Sequence, residues 1–275
     1  MSIEQMVNQP FDFHVSQWPP LPRMKGLFVT GTDTGVGKTI IAGAVARHLR
    51  RSGRYVEVFK PVATGCRRSR GRLLSEDAQF LAACADSKLS LEDITPLCFS
   101  TPAAPNVAAE REHREIDLEA IFSLYRRISH VAEAVVVEGV GGLLCPITDD
   151  FWIIHLAVMM RLPVIVVARA GLGTINHTLL TIHVGRSAGL DVAGVVINRY
   201  MVEPAKGTSS KEQDEAFFDE DVAVQANPSQ IAARGGVPVL AIVPDEARNS
   251  VADGVIGPDT TFAIDQVDWA GIMGL

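Results

Sequence analysis

The chain has 275 residues, 47% of them hydrophobic, with 25 Lys and Arg against 32 Asp and Glu and a formal net charge of −7. That balance supports a substantial core and argues against a nucleic-acid binder, since the densest basic run, Arg67–Arg72, reads as a solvated loop. No run of about 18 apolar residues suggests a membrane span. Cys66, Cys84, Cys98 and Cys145 lack the spacing and the neighbouring histidines of a zinc or redox site, so they read as reduced thiols of a cytoplasmic protein.

Residues 1–24 carry Glu4, Asp12 and four prolines and lack the basic and apolar regions of a signal peptide. They read as an extension, including Phe11, Phe13 and Trp18, that is disordered rather than packed. Strand and helix then alternate. "GLFVTG" leads to a helix over Thr39–Arg51, and "YVEVFKP" to a helix over Ser75–Ala85. "AEAVVVEG" follows, then "LPVIVVAR" with a helix over Asn176–Ala188, then "VAGVVINR" and "VPVLAIVP". The strands are continuous apolar runs, as expected when helices cover both faces of a parallel sheet. The prediction is one α/β domain over residues 25–275, doubly wound, mostly parallel and carrying a P-loop. Residues 203–226 are polar and charge-rich and read as an exposed excursion.

In such a sheet ligands bind beyond the carboxyl ends of the strands. The first of these ends runs into "GTDTGVGKT", where Gly31, Gly35 and Gly37 let successive N–H groups turn toward one anion. Lys38 reaches outer phosphates and the Thr39 hydroxyl can hold Mg²⁺ at the first turn of the helix. The usual spacing puts glycine at position 32, where Thr32 stands. The second strand delivers Lys60, and Asp77 at the next helix start either caps the helix or helps to hold a metal. The third delivers Glu138 in the manner of a Walker B element, followed by Gly139, Gly141 and Gly142. The turn at Gly173 and Thr174 offers amides to a carboxylate, and Asn198 offers an amide to a purine edge.

Together "GTDTGVGKT", "KPVATG", "SED", "PAAPNVAA", "VEGVGGLLCP", "GTINHTLLT" and "VINR" stand in the order and approximate spacing of the dethiobiotin synthetase family, which the chain resembles from about Lys25 to Pro244. The resemblance implies a partition-ATPase or cobyrinate-synthetase kind of fold and a homodimer. It implies a ligase that joins CO₂ to 7,8-diaminopelargonic acid, with Mg²⁺ as cofactor and ATP as co-substrate, through a phosphorylated carbamate. It assigns catalysis to Lys60 and Lys38 and the metal to Thr39, Asp77 and Glu138. It assigns ATP to Thr34, Gly35, Val36, Gly37, Lys38, Thr39, Asp77, Glu138, Gly139, Gly141, Asn198 and Arg199. The diamine falls to Thr34, Thr64, Gly173, Thr174 and Asn176, the last three across the dimer interface. Neither a nucleic acid nor a membrane is an expected partner. "VPDEARN" after the last strand matches the family's nucleotide-binding tail only loosely. A partition-type regulatory ATPase is the rival from another class, but it would carry an additional lysine early in the loop. The amidating domain of cobyrinate synthetases is the closer rival, and it normally accompanies a glutaminase domain.

Overall fold

A computed structural model describes residues 13–69, 71–201 and 224–275. In chain order the strands are β1 (Lys25–Gly31), β2 (Val56–Phe59), β3 (Val62–Ala63), β4 (Arg67–Ser69), β5 (Arg72–Leu74), β6 (Leu97–Cys98), β7 (Ala134–Glu138), β8 (Val164–Arg169), β9 (Val192–Tyr200) and β10 (Val239–Pro244). Six of them form one sheet in the order β10-β9-β8-β1-β7-β2, every neighbouring pair parallel.

The apolar runs are continuous because both faces of the sheet are covered. Side chains alternate along a strand, and the alternation here divides the sheet between two cores. Phe28, Val135, Val137, Val164 and Val166 belong to one, while Leu27, Val29, Val136, Ile165 and Val167 belong to the other. The helix Lys38–Arg51 packs in the second core with the helix Glu76–Ala85 and the C-terminal helices Pro258–Asp265 and Trp269–Met273. The helices Leu118–Val131 and Ile153–Met160 lie in the first. From β1 the chain passes to β2 at one edge, returns through β7, and then crosses β1 to build β8, β9 and β10 on the other side. The order therefore reverses around β1, where an open α/β sheet has its binding crevice.

Two expectations change. Residues 13–24 are not a disordered extension: Phe13, Val15 and Trp18 pack on the first core, Leu21 is buried, and Arg161 donates to the Leu21 carbonyl at 3.0 Å. The reason is aromatic burial, with the Trp18 ring edge-on to Phe151 at 4.7 Å between centroids. The expectation for residues 1–12 lies outside the described residues, as does that for the excursion up to residue 223; residues 224–235 are helical. The run Arg67–Arg72 is not a loop, since β4 and β5 pair there as an antiparallel hairpin with Arg67, Arg68 and Arg72 exposed. Short strands of this kind, paired only with each other, leave no periodic signal.

Candidate active site

The phosphate loop combines a left-handed glycine with side-chain bonds to its own backbone. Gly37 caps the helix Lys38–Arg51 at φ 91°, a left-handed conformation that a side chain would strain. Asp33 Oδ1 accepts the Thr34 N–H at 2.7 Å, and Lys38 Nζ folds back to donate to the Asp33 carbonyl at 2.9 Å. Burial lowers the pKa of the Lys38 ammonium, with Glu138 working against it.

Beside the loop the ends of β2 and β7 meet. Lys60, immediately after β2, is buried and donates to Glu138 Oε1 at 2.6 Å, with Asp77 Oδ2 at 2.8 Å. Thr39 Oγ1 donates to the same Glu138 oxygen at 2.9 Å. Burial alone would lower the Lys60 pKa, but Glu138 and Asp77 outweigh it and hold the ammonium well above the ordinary lysine range. For Asp77 burial works upward, and the Lys60 charge more than offsets it, so its carboxyl sits below the usual value. Glu138 is pushed up by its complete burial, opposed by Lys60. Sequence reasoning left Asp77 as either a cap or a ligand. The cap is Ser75, whose hydroxyl accepts the Ala78 N–H at 3.1 Å, which frees Asp77 to face Lys60.

Glu138 Oε2 is buried and has no hydrogen-bond partner among the described residues. An ionised oxygen left so is costly unless a cation meets it. Among the described residues no cluster of three or more His, Cys, Asp or Glu is placed to hold a metal. Two carboxylates and a hydroxyl suit an ion that takes its other ligands from phosphate and water, as Mg²⁺ does. The donor set fits that ion.

A cleft of about 630 Å³ runs along the carboxyl ends of the strands. It is lined by Thr34, Gly35, Gly37, Lys38, Thr39, Lys60, Thr64, Asp77, Glu138, Gly141, Asn198 and Arg199, so most of the residues singled out from sequence converge here. Val36 and Gly139 do not line it. The Val36 side chain is buried in the second core, and the Gly139 N–H is bonded to the Val29 carbonyl at 3.0 Å. Gly173, Thr174 and Asn176 also lie outside, at the start of the helix Thr174–Ser187; the Thr174 hydroxyl is buried against that of Thr178 at 3.4 Å, and Asn176 is exposed. Sequence reasoning marked "VPDEARN" as a loose match to a nucleotide-binding tail but singled out no residue in it; Asp245, Glu246 and Asn249 of that segment line the cleft after β10. The signal was available, since they follow the last apolar strand as Lys60 follows β2.

A family model described as an AAA domain matches residues 25–250. The ATP-dependent dethiobiotin synthetase of Bacillus subtilis (strain 168) is 39% identical over 225 residues, covering 82% of this chain and 89% of that one. The enzyme of the same name from Anaeromyxobacter sp. (strain K) is 40% identical over 238 residues, covering 85% and 97%. The chain belongs to the dethiobiotin synthetase family. Among solved structures it resembles the MinD cell division protein of Aquifex aeolicus, with TM-score 0.55, 14% identity and 91% and 97% coverage. It also resembles a ParA family ATPase from Chlorobium tepidum TLS, with TM-score 0.52, 13% identity and 89% and 97% coverage. Those likenesses concern the fold alone. What this chain shares with those two structures is the mostly parallel sheet covered by helices. No helix of the described residues is long and apolar enough to cross a membrane.

Proposed function

We propose that this chain catalyses the dethiobiotin synthetase reaction, closing a ureido ring from 7,8-diaminopelargonic acid and CO₂ with ATP. The observation that carries the reading is Lys60, buried beside the phosphate loop and bonded to both Asp77 and Glu138. One amine of the diamine adds to CO₂ and loses a proton, giving a carbamate. Its oxygen attacks the γ-phosphorus and ADP leaves. The second amine then attacks the carbonyl of the mixed anhydride, phosphate departs, a further proton is lost and the ring closes.

Three anionic groups must lie together for this, and the lysines are what permit it. Lys38 and the loop N–H groups hold the β- and γ-phosphates, and Lys60 stabilises the carbamate and the phosphoryl group in transfer. In doing so Lys60 exchanges a carboxylate partner for the substrate anion. Asp77 and Glu138, with Thr39, then hold Mg²⁺, a reading supported by the orphaned Glu138 Oε2. When bound, the ion supplies neutralisation of phosphate charge. Thr34 and Thr64 contact the diamine, while Asn198 and Arg199 face the nucleotide base.

The working unit is a homodimer, in which the Gly173–Asn176 turn of one copy binds the diamine carboxylate in the other. This is supported by exposed apolar side chains around the turn, Leu172 at 77% and Leu180 at 55%. A cytoplasmic setting, where ATP is supplied, suits the reaction.

The test is phosphate release from MgATP and bicarbonate, with and without the diamine, in the parent and in Lys60→Ala. Release should require the diamine and fall by about 10²-fold or more in the variant. Release indifferent to the diamine would sink the ligase reading.

A further inference from the structure

Asn198, near the end of β9, is tied to a segment 162 residues earlier in the chain. Its Nδ2 donates to the backbone carbonyl of Val36 at 2.9 Å, and the side chain is only 3% exposed. The contact is so close that a Cβ on Gly37 would stand 2.1 Å from the same nitrogen. Asn198 nonetheless lines the cleft, so it faces the ligand and the loop together.

The Val36 carbonyl and the Gly37 N–H belong to one peptide plane, and in a trans peptide they point in opposite directions. Gly37 itself does not fix that plane, because glycine populates both signs of φ readily. A flip would turn the Val36 oxygen toward the polyphosphate and remove one N–H donor from it. We propose that Asn198 is a positioning residue for the phosphate loop: by holding the Val36 carbonyl it keeps the Gly37 N–H turned toward the phosphates, in addition to any contact with the base. The side chain can serve both purposes. One N–H of its amide is used on Val36, leaving the second N–H and the Oδ1 acceptor for a ligand.

The inference rests on the reading that this loop holds a triphosphate, and inorganic tripolyphosphate isolates it from base recognition because it has no base. Calorimetric titration of parent and Asn198→Ala with ATP and with tripolyphosphate, each with Mg²⁺, decides it. The expected result is about tenfold weaker binding of both ligands, the size of one lost hydrogen bond in a preorganised site. Weaker ATP binding with tripolyphosphate unchanged would overturn the inference and leave Asn198 as a base reader, and unchanged binding of both would overturn it too. Should the alanine variant not fold, Asn198→Leu carries the same comparison. It keeps the volume, adds no charge beside the polyanion and removes the bond to the Val36 carbonyl, so its loss should be of similar size. A tripolyphosphate loss in the variant supports the inference even where diamine-dependent phosphate release is absent, so failure of the ligase reading is seen separately.

Discussion

Two turns in this molecule are built alike. Gly37 and Gly173 each cap a 14-residue helix with a left-handed backbone, at φ 91° and 88°, with no side-chain cap and no acidic residue in the first turn. Each follows a strand of the central sheet. As anion sites taken in isolation they are equivalent, since both present helix N–H groups. Their neighbours differ. Around Gly37 the ends of β2, β7 and β9 deliver Lys60, Glu138 and Asn198 into one cleft, whereas around Gly173 the described chain offers Arg169 from the end of β8 with exposed Leu172 and Asn176, and no carboxylate among the side chains named there. A glycine at a helix start is thus only a fraction of a site, and the rest comes from the strands that surround it.

Adding one methyl group to each turn tests this most severely. In Gly37→Ala the new Cβ would stand 2.1 Å from Asn198 Nδ2, in a backbone conformation that disfavours it. Phosphate release should fall by about 10²-fold or more, because the misplaced donors serve the transition state. In Gly173→Ala the nearest atom is Arg169 Nη2 at 3.8 Å, so only the backbone strain remains. Thermal unfolding should register a loss of about 1–2 kcal/mol, and ATP affinity should not change. Equal damage to ATP binding in both variants would erase the distinction.

The second turn can also be tested for the role proposed for it. Asn176→Ala should raise the KM for the diamine about tenfold, the effect of one hydrogen bond to a charged group, and should leave ATP affinity intact. A joint loss of diamine and ATP binding would place Asn176 in the nucleotide site of its own chain instead.

The same contrast explains what was legible in the sequence. The sheet was readable because buried parallel strands are uninterrupted apolar runs, and Lys60, Asp77 and Glu138 because each stands just beyond a strand or at a helix start. The cleft tail at Asp245 and Glu246 obeys the same rule, but a loose match to the family's tail left its residues unassigned. Glu246 there spends one carboxylate oxygen on the Thr260 N–H at 2.9 Å, so structural and ligand-facing roles are mixed in one short loop. Between Ala85 and Ala132 no element is expected from the sequence, although Asp117 caps the helix Leu118–Val131 and Ile121, Phe122, Tyr125 and Ile128 recur with helical spacing. The two-residue strands β3 and β6 could not be read, since their pairing is set by tertiary contact. Nor could the Asn198 bond to Val36, which joins residues far apart in sequence and has no local pattern.

The smallest predicted effect concerns the charges that distinguish the first turn. Asp77 is held below its ordinary pKa because the Lys60 ammonium outweighs the effect of burial. Its folded value is lower than its unfolded one, so its contribution to stability is present above pH 4 or so and is lost as pH falls through the folded value. Glu138 shifts the other way, and burial makes its protonation easier on folding rather than harder. The two carboxylates on Lys60 therefore act with opposite sign on the acid limb. Asp77→Asn should lower the melting temperature by more at pH 7 than at pH 3, by a few degrees, since the Asp77 side chain is 37% exposed and its pairing is screened. An equal drop at both pH values would mean that Asp77 acts on stability through packing and not through its charge opposite Lys60.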